Sequence, residues 1–192
     1  AVNVKLLKQS ETDQMTGLAN RYRLNDYSDK VLDYCYEHRL PLAMEILDID
    51  FFKQYNDNYG HQQGDECIIA IADELKKMED RQTFCARYGG DEFIIIYAGI
   101  SAEEVHAKAG ALRQNIMNLK LEHLYSNALP IVTISQGISY GVPEEGNRSW
   151  DFLHTADMLL YQVKKRSRND ICIADIRGQE LDLSSKQEKV EP

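Results

Sequence analysis

Apolar positions recur along the chain with two periods, one near 3.6 residues and one of 2, and the switches between them mark out the elements. From Arg21 to His38 the residues Leu24, Tyr27, Val31, Tyr34 and Cys35 return on one side, which predicts a helix that Leu40-Pro41 ends. Leu42 to Ile49 is an apolar run of strand length, and it finishes on Asp48 and Asp50. A polar segment rich in Asn, Tyr and Gly follows. A second helix is expected to open near Gly64-Asp65 and to turn Ile68, Ile71, Ala72, Leu75 and Met78 inward. Thr83 to Tyr88 and Phe93 to Tyr97 flank Gly89-Gly90-Asp91-Glu92. Consecutive glycines supply the positive φ that tight hairpin turns demand, so these two runs are expected to pair.

Ser101 followed by Glu104 is a capping box, and the helix behind it places Val105, Ala109, Leu112, Ile116 and Leu119 at steps of three and four. Pro130 precedes a predicted strand of β-branched residues, Ile131 to Ile138. Trp150, Leu153, Leu160 and Val163 give one more amphipathic helix, and Ile171 to Ala174 a short last strand. The expected fold is α+β, with layered α/β character: a central mixed, mostly antiparallel sheet flanked by helices. Residues 12–175 are expected to form one domain, 1–11 a linker to an upstream segment, and 176–192 a polar, flexible tail.

Composition narrows the function classes. A chain of 192 residues, 43% hydrophobic, can bury one sizeable core. Its net charge of -9 argues against nucleic acid as a partner, because binding a phosphate backbone requires many clustered Lys and Arg. A small anion needs only a few local cations. Cys35, Cys67, Cys85 and Cys172 lack zinc-site spacing and read as reduced core residues of a cytoplasmic domain. No run of about 18 apolar residues is present, so no membrane contact is expected of this segment. The chain opens at Ala1 rather than Met, so a longer protein with an upstream sensor or membrane anchor is expected.

The chemistry is carried by carboxylates at element ends. Asp48 ends a strand and Asp91-Glu92 tips a hairpin, two places from which a rigid sheet presents side chains to a cleft. Two like charges about 4 Å apart repel by about 4 kcal/mol at an effective dielectric near 20, so such a cluster needs a cation or a proton. Magnesium answers this need with oxygen ligands and leaves positions for phosphate, which points to phosphoryl or nucleotidyl transfer. Taken alone, each acid group reads better as plain structure: Asp48 and Asp50 as the end of a strand, Asp91-Glu92 as a solvated turn.

Several motifs together carry a resemblance. Arg87-Tyr88-Gly89-Gly90-Asp91-Glu92-Phe93 resembles the signature for which the GGDEF family of diguanylate cyclases is named. Asp13-Gln14-Met15-Thr16-Gly17-Leu18-Ala19-Asn20-Arg21 resembles that family's D-x-L-T-G-L-x-N-R motif, with Met15 in place of Leu. Leu47 to Asp57, with His61 and Gly64-Asp65, is similar to its metal and guanine segment. Ser135-Gln136-Gly137, Ala156-Asp157 through Tyr161 to Lys164, and Arg168-Asn169 are similar to further blocks in the same order. The likeness spans roughly Thr12 to Ala174.

The resemblance implies a palm-like, nucleotidyl-cyclase-like fold and condensation of two GTP molecules into cyclic di-GMP. It implies two Mg²⁺ ions per site, with Mn²⁺ as a substitute, held by Asp48, the carbonyl of Ile49 and Asp91, with Glu92 close by. Asp91 would take the proton of the attacking ribose 3′-hydroxyl, and Lys53 would stabilise the transition state. Asn56 and Asp65 would read guanine, since a carboxylate accepts from N1-H and N2-H₂ while an amide donates to O6. On local pattern alone Asp65 reads equally as a helix N-cap and Asn56 as a loop cap. His61 would contact the nucleotide. Lys164 and Arg168, at i and i+4 on the last helix, would grip the triphosphate. Arg87 stays open between the active surface and an ion pair with a neighbouring acid. Because one site holds one GTP, the working enzyme is expected to be a two-fold homodimer.

One departure concerns regulation. The family's inhibitory R-x-x-D product site would place Arg and Asp where this chain has Asp80 and Thr83, so feedback through that site is expected to be absent or weak. The competing expectations are an inactive GTP- or partner-binding module, another palm-type nucleotidyl cyclase, and a structural signalling domain.

Overall fold

A computed structural model describes residues 11–183. Residues 1–10 of the expected linker, and the part of the expected tail beyond Leu183, lie outside the described residues. The elements run α1 (Arg21–His38), β1 (Leu42–Ile49), α2 (Phe52–Tyr59), α3 (His61–Met78), β2 (Thr83–Gly89), β3 (Glu92–Ala98), α4 (Ala102–Asn118), β4 (Ile134–Gly141), α5 (Ser149–Arg166) and β5 (Ile171–Asp175). The strands form one five-stranded sheet in the order β2-β3-β1-β4-β5. Every neighbouring pair is antiparallel except β4 and β5, which run parallel. The mixed, mostly antiparallel sheet flanked by helices is therefore the architecture expected from the sequence.

All eight residues of β1 are buried, and their alternation feeds two cores. Ala43, Leu47 and Ile49 pack with α2, α3 and α4, whereas Leu42, Met44 and Ile46 pack with α1 and α5. Asp48 continues the second set, so its carboxylate emerges on the α5 face at the end of the central strand. The helix α5 lies against β4 where Gly137 sits. A Cβ at Gly137 would come within 2.3 Å of both the Ala156 carbonyl oxygen and the Leu160 nitrogen, so only glycine lets the two backbones approach this closely.

Several local expectations need correction. The segment between Ile49 and Gly64 is helical rather than irregular, because Phe52 and Tyr55 anchor α2 in the core while Asp57 and Asn58 face water. Gly60, at φ 86°, joins α2 to α3. Gly64-Asp65 therefore falls inside α3, and Asp65 is not a helix cap. Tyr34 and Trp150 are 51% and 58% exposed, because the buried stripes run instead through Leu24, Val31, Leu32 and Cys35 and through Phe152, Ala156, Leu159 and Leu160. The strand expected from Ile131 pairs continuously with β1 only from Ile134, opposite Ile49. Residues 176–183 turn back on β5: Leu181 N donates to the Ile173 carbonyl at 3.1 Å, and Leu181 and Leu183 pack on the core.

On the α4 face β1 buries one acid completely. Glu45 accepts from Gln136 Nε2 at 2.7 Å and from the Tyr97 hydroxyl at 2.8 Å. Burial outweighs these bonds and pushes its carboxyl from 4.5 up to about 7. A carboxyl whose pKa is raised by folding contributes stability below its unfolded value, and that contribution is lost as pH rises through the folded value. The difference amounts to about 3 kcal/mol. Wild type should therefore lose stability relative to Glu45→Gln between pH 4.5 and 7 by an amount of this order. Urea unfolding of both proteins across that range measures it; parallel stability curves would refute the assignment.

Candidate functional site

The register of the sheet assembles the acids. Asp48 on β1 stands directly opposite Glu92 on β3 and opposite Ser135 on β4. The hairpin brings Asp91 beside them. Gly90 adopts φ 55°, as a tight turn requires, and a bulge between Arg87 and Gly89 tightens it further. No atom lies within 4 Å of a Cβ built on Gly89 or Gly90, so the tip offers bare backbone to an approaching group. From the other side α5 delivers Lys164, whose Nζ donates to Asp48 Oδ2.

Burial and mutual repulsion raise the Asp48 and Glu92 carboxyls of this cluster. Asp48 is 7% exposed, and its carboxyl is pushed up to about 7 by burial and by the Asp91 charge, against the pull of Lys164. The Glu92 carboxyl is also raised, by burial first and then by Asp91 and Asp157, with Lys164 opposing. Among the described residues no three His, Cys, Asp or Glu side chains stand close enough to enclose a metal ion. The three-acid grouping of Asp48, Asp91 and Glu92 is thus not a cage by itself. Asp48 and Asp91 leave an acidic pair open to solvent on one side, close enough for the Asp91 charge to act on Asp48.

Asp50 has a different task. Fully buried, it accepts from Thr133 Oγ1 at 2.8 Å, Ser135 Oγ at 2.6 Å and Asn169 N at 2.9 Å. These bonds fasten the α5–β5 loop to the end of β1. Arg168 lies in that loop with φ 53°, beyond the end of α5, so it does not share a helical face with Lys164 as expected. Its guanidinium is 3.7 Å from Asp50 and stacks on Phe51 at 4.2 Å. Lys53 also stands away from the acids, with its side chain 85% exposed and paired with Asp57 at 2.9 Å.

Asn56 and Asp65 are brought together by the tight α2–α3 joint. The Asn56 Oδ1 is buried without a hydrogen-bond partner, directly over Gly64, where a Cβ would sit 1.8 Å from it. Asp65 follows Gly64 in the chain and is exposed, as is His61 in the first turn of α3. The orphaned Asn56 oxygen and the Asp65 carboxylate are both acceptors, so of this pair only the Asn56 Nδ2 group can donate to a ligand.

Arg87 resolves toward the ion pair. It donates to the Gly90 carbonyl at 2.9 and 3.2 Å and to Asp13 at 3.2 and 3.4 Å. Burial works to raise Asp13, but hydrogen bonds from Thr16 and Arg87 outweigh it and hold the carboxyl below the usual range. The sequence pattern did not reveal this bond, which crosses 74 residues. It splints the turn that carries Asp91.

Known proteins resemble this chain in sequence and in fold. The profile of the family described as diguanylate cyclase, GGDEF domain, matches residues 10–170. The chain is 34% identical over 168 residues to the probable diguanylate cyclase DgcC of Escherichia coli K12, covering 86% of this chain and 43% of that protein. It is 31% identical to diguanylate cyclase A of Treponema denticola, covering 90% of this chain and 46% of that one. The chain thus spans less than half the length of these curated relatives. Among solved structures, the coiled coil and GGDEF domain of DgcB from Caulobacter crescentus in complex with c-di-GMP superposes with a TM-score of 0.81 at 29% identity, covering 90% of each chain. The active GGEEF domain of a diguanylate cyclase from Vibrio cholerae gives a TM-score of 0.69 at 30% identity, covering 81% of this chain and 97% of that one.

Replacing Arg87 by Ala removes two ties at once from a largely buried guanidinium. The expected cost is about 1–3 kcal/mol of stability, with faster amide exchange at Asp91 and Glu92. Urea titration and hydrogen exchange measure the two effects; an unchanged exchange rate at the tip would show that Arg87 does not splint it.

Proposed function

The chain belongs to the GGDEF domain family, and on that premise we propose that it is a diguanylate cyclase domain, joining two GTP molecules into cyclic di-GMP and two pyrophosphates. The observation that carries this reading is the meeting of Asp48, Asp91 and Lys164 at the end of the central strand, with Asn56 and Asp65 set together on the neighbouring helices. Two mutually repelling carboxylates at a buried strand end suit a divalent cation, and the residues proposed to hold two Mg²⁺, or Mn²⁺ in their place, are Asp48, the Ile49 carbonyl and Asp91, with Glu92 alongside. Bound metal would supply positive charge to the α-phosphate and make the ribose 3′-hydroxyl more acidic.

The chain's own side chains supply recognition and proton handling. Asn56 and Asp65 select guanine, with His61 at the same helix start. Lys164 and Arg168 bind triphosphate oxygens, Lys164 by exchanging its bond to Asp48 for a phosphate. Lys53 reaches the same oxygens by leaving its solvent-exposed partner Asp57, an exchange that costs little because exposed ion pairs are weak. Asp91 accepts the 3′-hydroxyl proton as the oxygen attacks the α-phosphate and the bond to pyrophosphate breaks. Two such sites facing each other in a homodimer complete both linkages. Four buried free thiols fit the reducing cytoplasm, where GTP is available. Among the described residues no helix is long and apolar enough to cross a membrane.

Incubating the chain with GTP and Mg²⁺ and separating the products by chromatography tests the proposal. Cyclic di-GMP is expected from wild type and none from Asp91→Asn; GTP bound but unconverted by both would favour an inactive binding module. Product feedback through the R-x-x-D positions is proposed to be absent or weak, since Asp80 and Thr83 are both engaged by Lys108, at 2.9 and 3.0 Å. Cyclic di-GMP added to the same assay should leave the initial rate unchanged. Tight calorimetric binding that is lost on substitution of Asp80 or Thr83 would overturn this.

A further inference from the structure

Two positions in the motif around Tyr161 have no role in the chemistry above. Asp157 and Tyr161 both project from α5 and line a cavity of about 260 Å³ with Glu92, Met158, Leu160 and Lys164. Lys164, one of its lining residues, donates to Asp48, so the cavity adjoins the carboxylates. Tyr161 is 58% exposed, and Met158 and Leu160 supply an apolar floor. Asp157 is exposed and has no hydrogen-bond or ion-pair partner among the described residues, and it lines the same cavity as Glu92.

We infer that this cavity holds the ribose of the second GTP, the one carried by the partner copy, with Asp157 accepting a hydrogen bond from its 2′-hydroxyl and Tyr161 packing on its C–H face. The inference rests on the two-GTP condensation proposed above. The chemistry suits a sugar: a carboxylate accepts from hydroxyls, while an aromatic ring and aliphatic side chains cover the apolar face. The volume lies below the roughly 300 Å³ at which pockets for whole drug-sized ligands begin, so it takes part of a nucleotide. That part does not belong to the nucleotide bound in cis. The guanine-reading pair sits on α2 and α3, which pack on one face of the sheet, whereas α5 packs on the other. A nucleotide with its base at Asn56 and its phosphates at Lys164 leaves the outer face of α5 free. The second nucleotide must bring its 3′-hydroxyl to Asp91 from the open side, past Asp157 and Tyr161. Because the new linkage uses the 3′-hydroxyl, the 2′-hydroxyl stays available for recognition throughout.

Asp157 is thus a specificity-determining residue, and the sugar is the variable that tests it. Rates of cyclic dinucleotide formation from GTP and from 2′-deoxy-GTP are compared for wild type, Asp157→Ala, Tyr161→Phe and Tyr161→Ala. Both side chains are exposed, so the variants should fold, which circular dichroism checks. Wild type should prefer GTP. Asp157→Ala should lose about ten- to a hundred-fold in kcat/KM with GTP, the worth of a hydrogen bond to a charged group, and nothing with 2′-deoxy-GTP, so the preference collapses. Tyr161→Phe should match wild type, and Tyr161→Ala should slow both substrates. Calorimetric binding of one non-hydrolysable GTP should be the same in wild type and Asp157→Ala. An Asp157→Ala enzyme that keeps the wild-type ratio between the two substrates overturns the inference while leaving the cyclase reading intact. Failure of wild type to convert GTP removes both.

Discussion

The repulsion between Asp48 and Asp91 is the constraint around which this molecule is organised. Two carboxylates at the mouth of a buried sheet cannot both ionise cheaply, and burial raises Asp48 to about 7 even with Lys164 bonded to it. Such an arrangement persists only where the surrounding framework leaves no alternative position for the side chains. Here β1 is buried along its whole length and paired on both edges, so Asp48 cannot turn away. Asp91 is equally confined, because Arg87 ties the Gly90 carbonyl to Asp13. The framework thus holds two repelling carboxylates together at the mouth.

A second acid two residues away shows how position alone changes the task. Asp50 is more deeply buried than Asp48, but hydroxyls from Thr133 and Ser135 and the amide of Asn169 satisfy it. It therefore acts as a clasp rather than a ligand. The clasp orders the loop after α5, and with the close contact at Gly137 it fixes how far Lys164 reaches over the sheet. The left-handed turn at Phe51, φ 54°, lets the chain leave β1 directly into α2. That conformation is unfavourable for a bulky residue, and its carbonyl is held at 3.0 Å by His123, which is itself fully buried. Structure on both faces of the sheet thus converges on the end of one strand.

The cations divide into those already engaged with the acids and those held elsewhere. Lys164 already touches Asp48, whereas Lys53 pairs with Asp57 and Arg168 rests on Phe51. Exposed pairs such as Lys53–Asp57 exchange at little cost, so the distinction concerns readiness rather than capacity. The tight joint at Gly64 works in the opposite direction, holding an unsatisfied amide oxygen of Asn56 in a place where only glycine leaves room.

The sheet, the hairpin, the capping box at Ser101 and most helix bounds were legible in the sequence, because each depends on contacts within a few residues or on a simple period. The acids at strand ends were legible for the same reason: a strand's period of two sets the face of each side chain. The helix α2 was not, since its polar composition hid two anchoring aromatics, and the phase errors at Tyr34 and Trp150 arose because amphipathic aromatics fit either side of a stripe. Local pattern left Arg87 open and made Asp65 as much a cap as a base reader. Tertiary structure alone turned Arg87 to its ion pair and took Asp65 out of the cap position, and it alone set the pairing of Lys164 with Asp48, the clasp on Asp50 and the separation of Arg168 from α5. Each is a contact between groups far apart in the chain, and its energy depends on burial and distance, which no local spacing encodes.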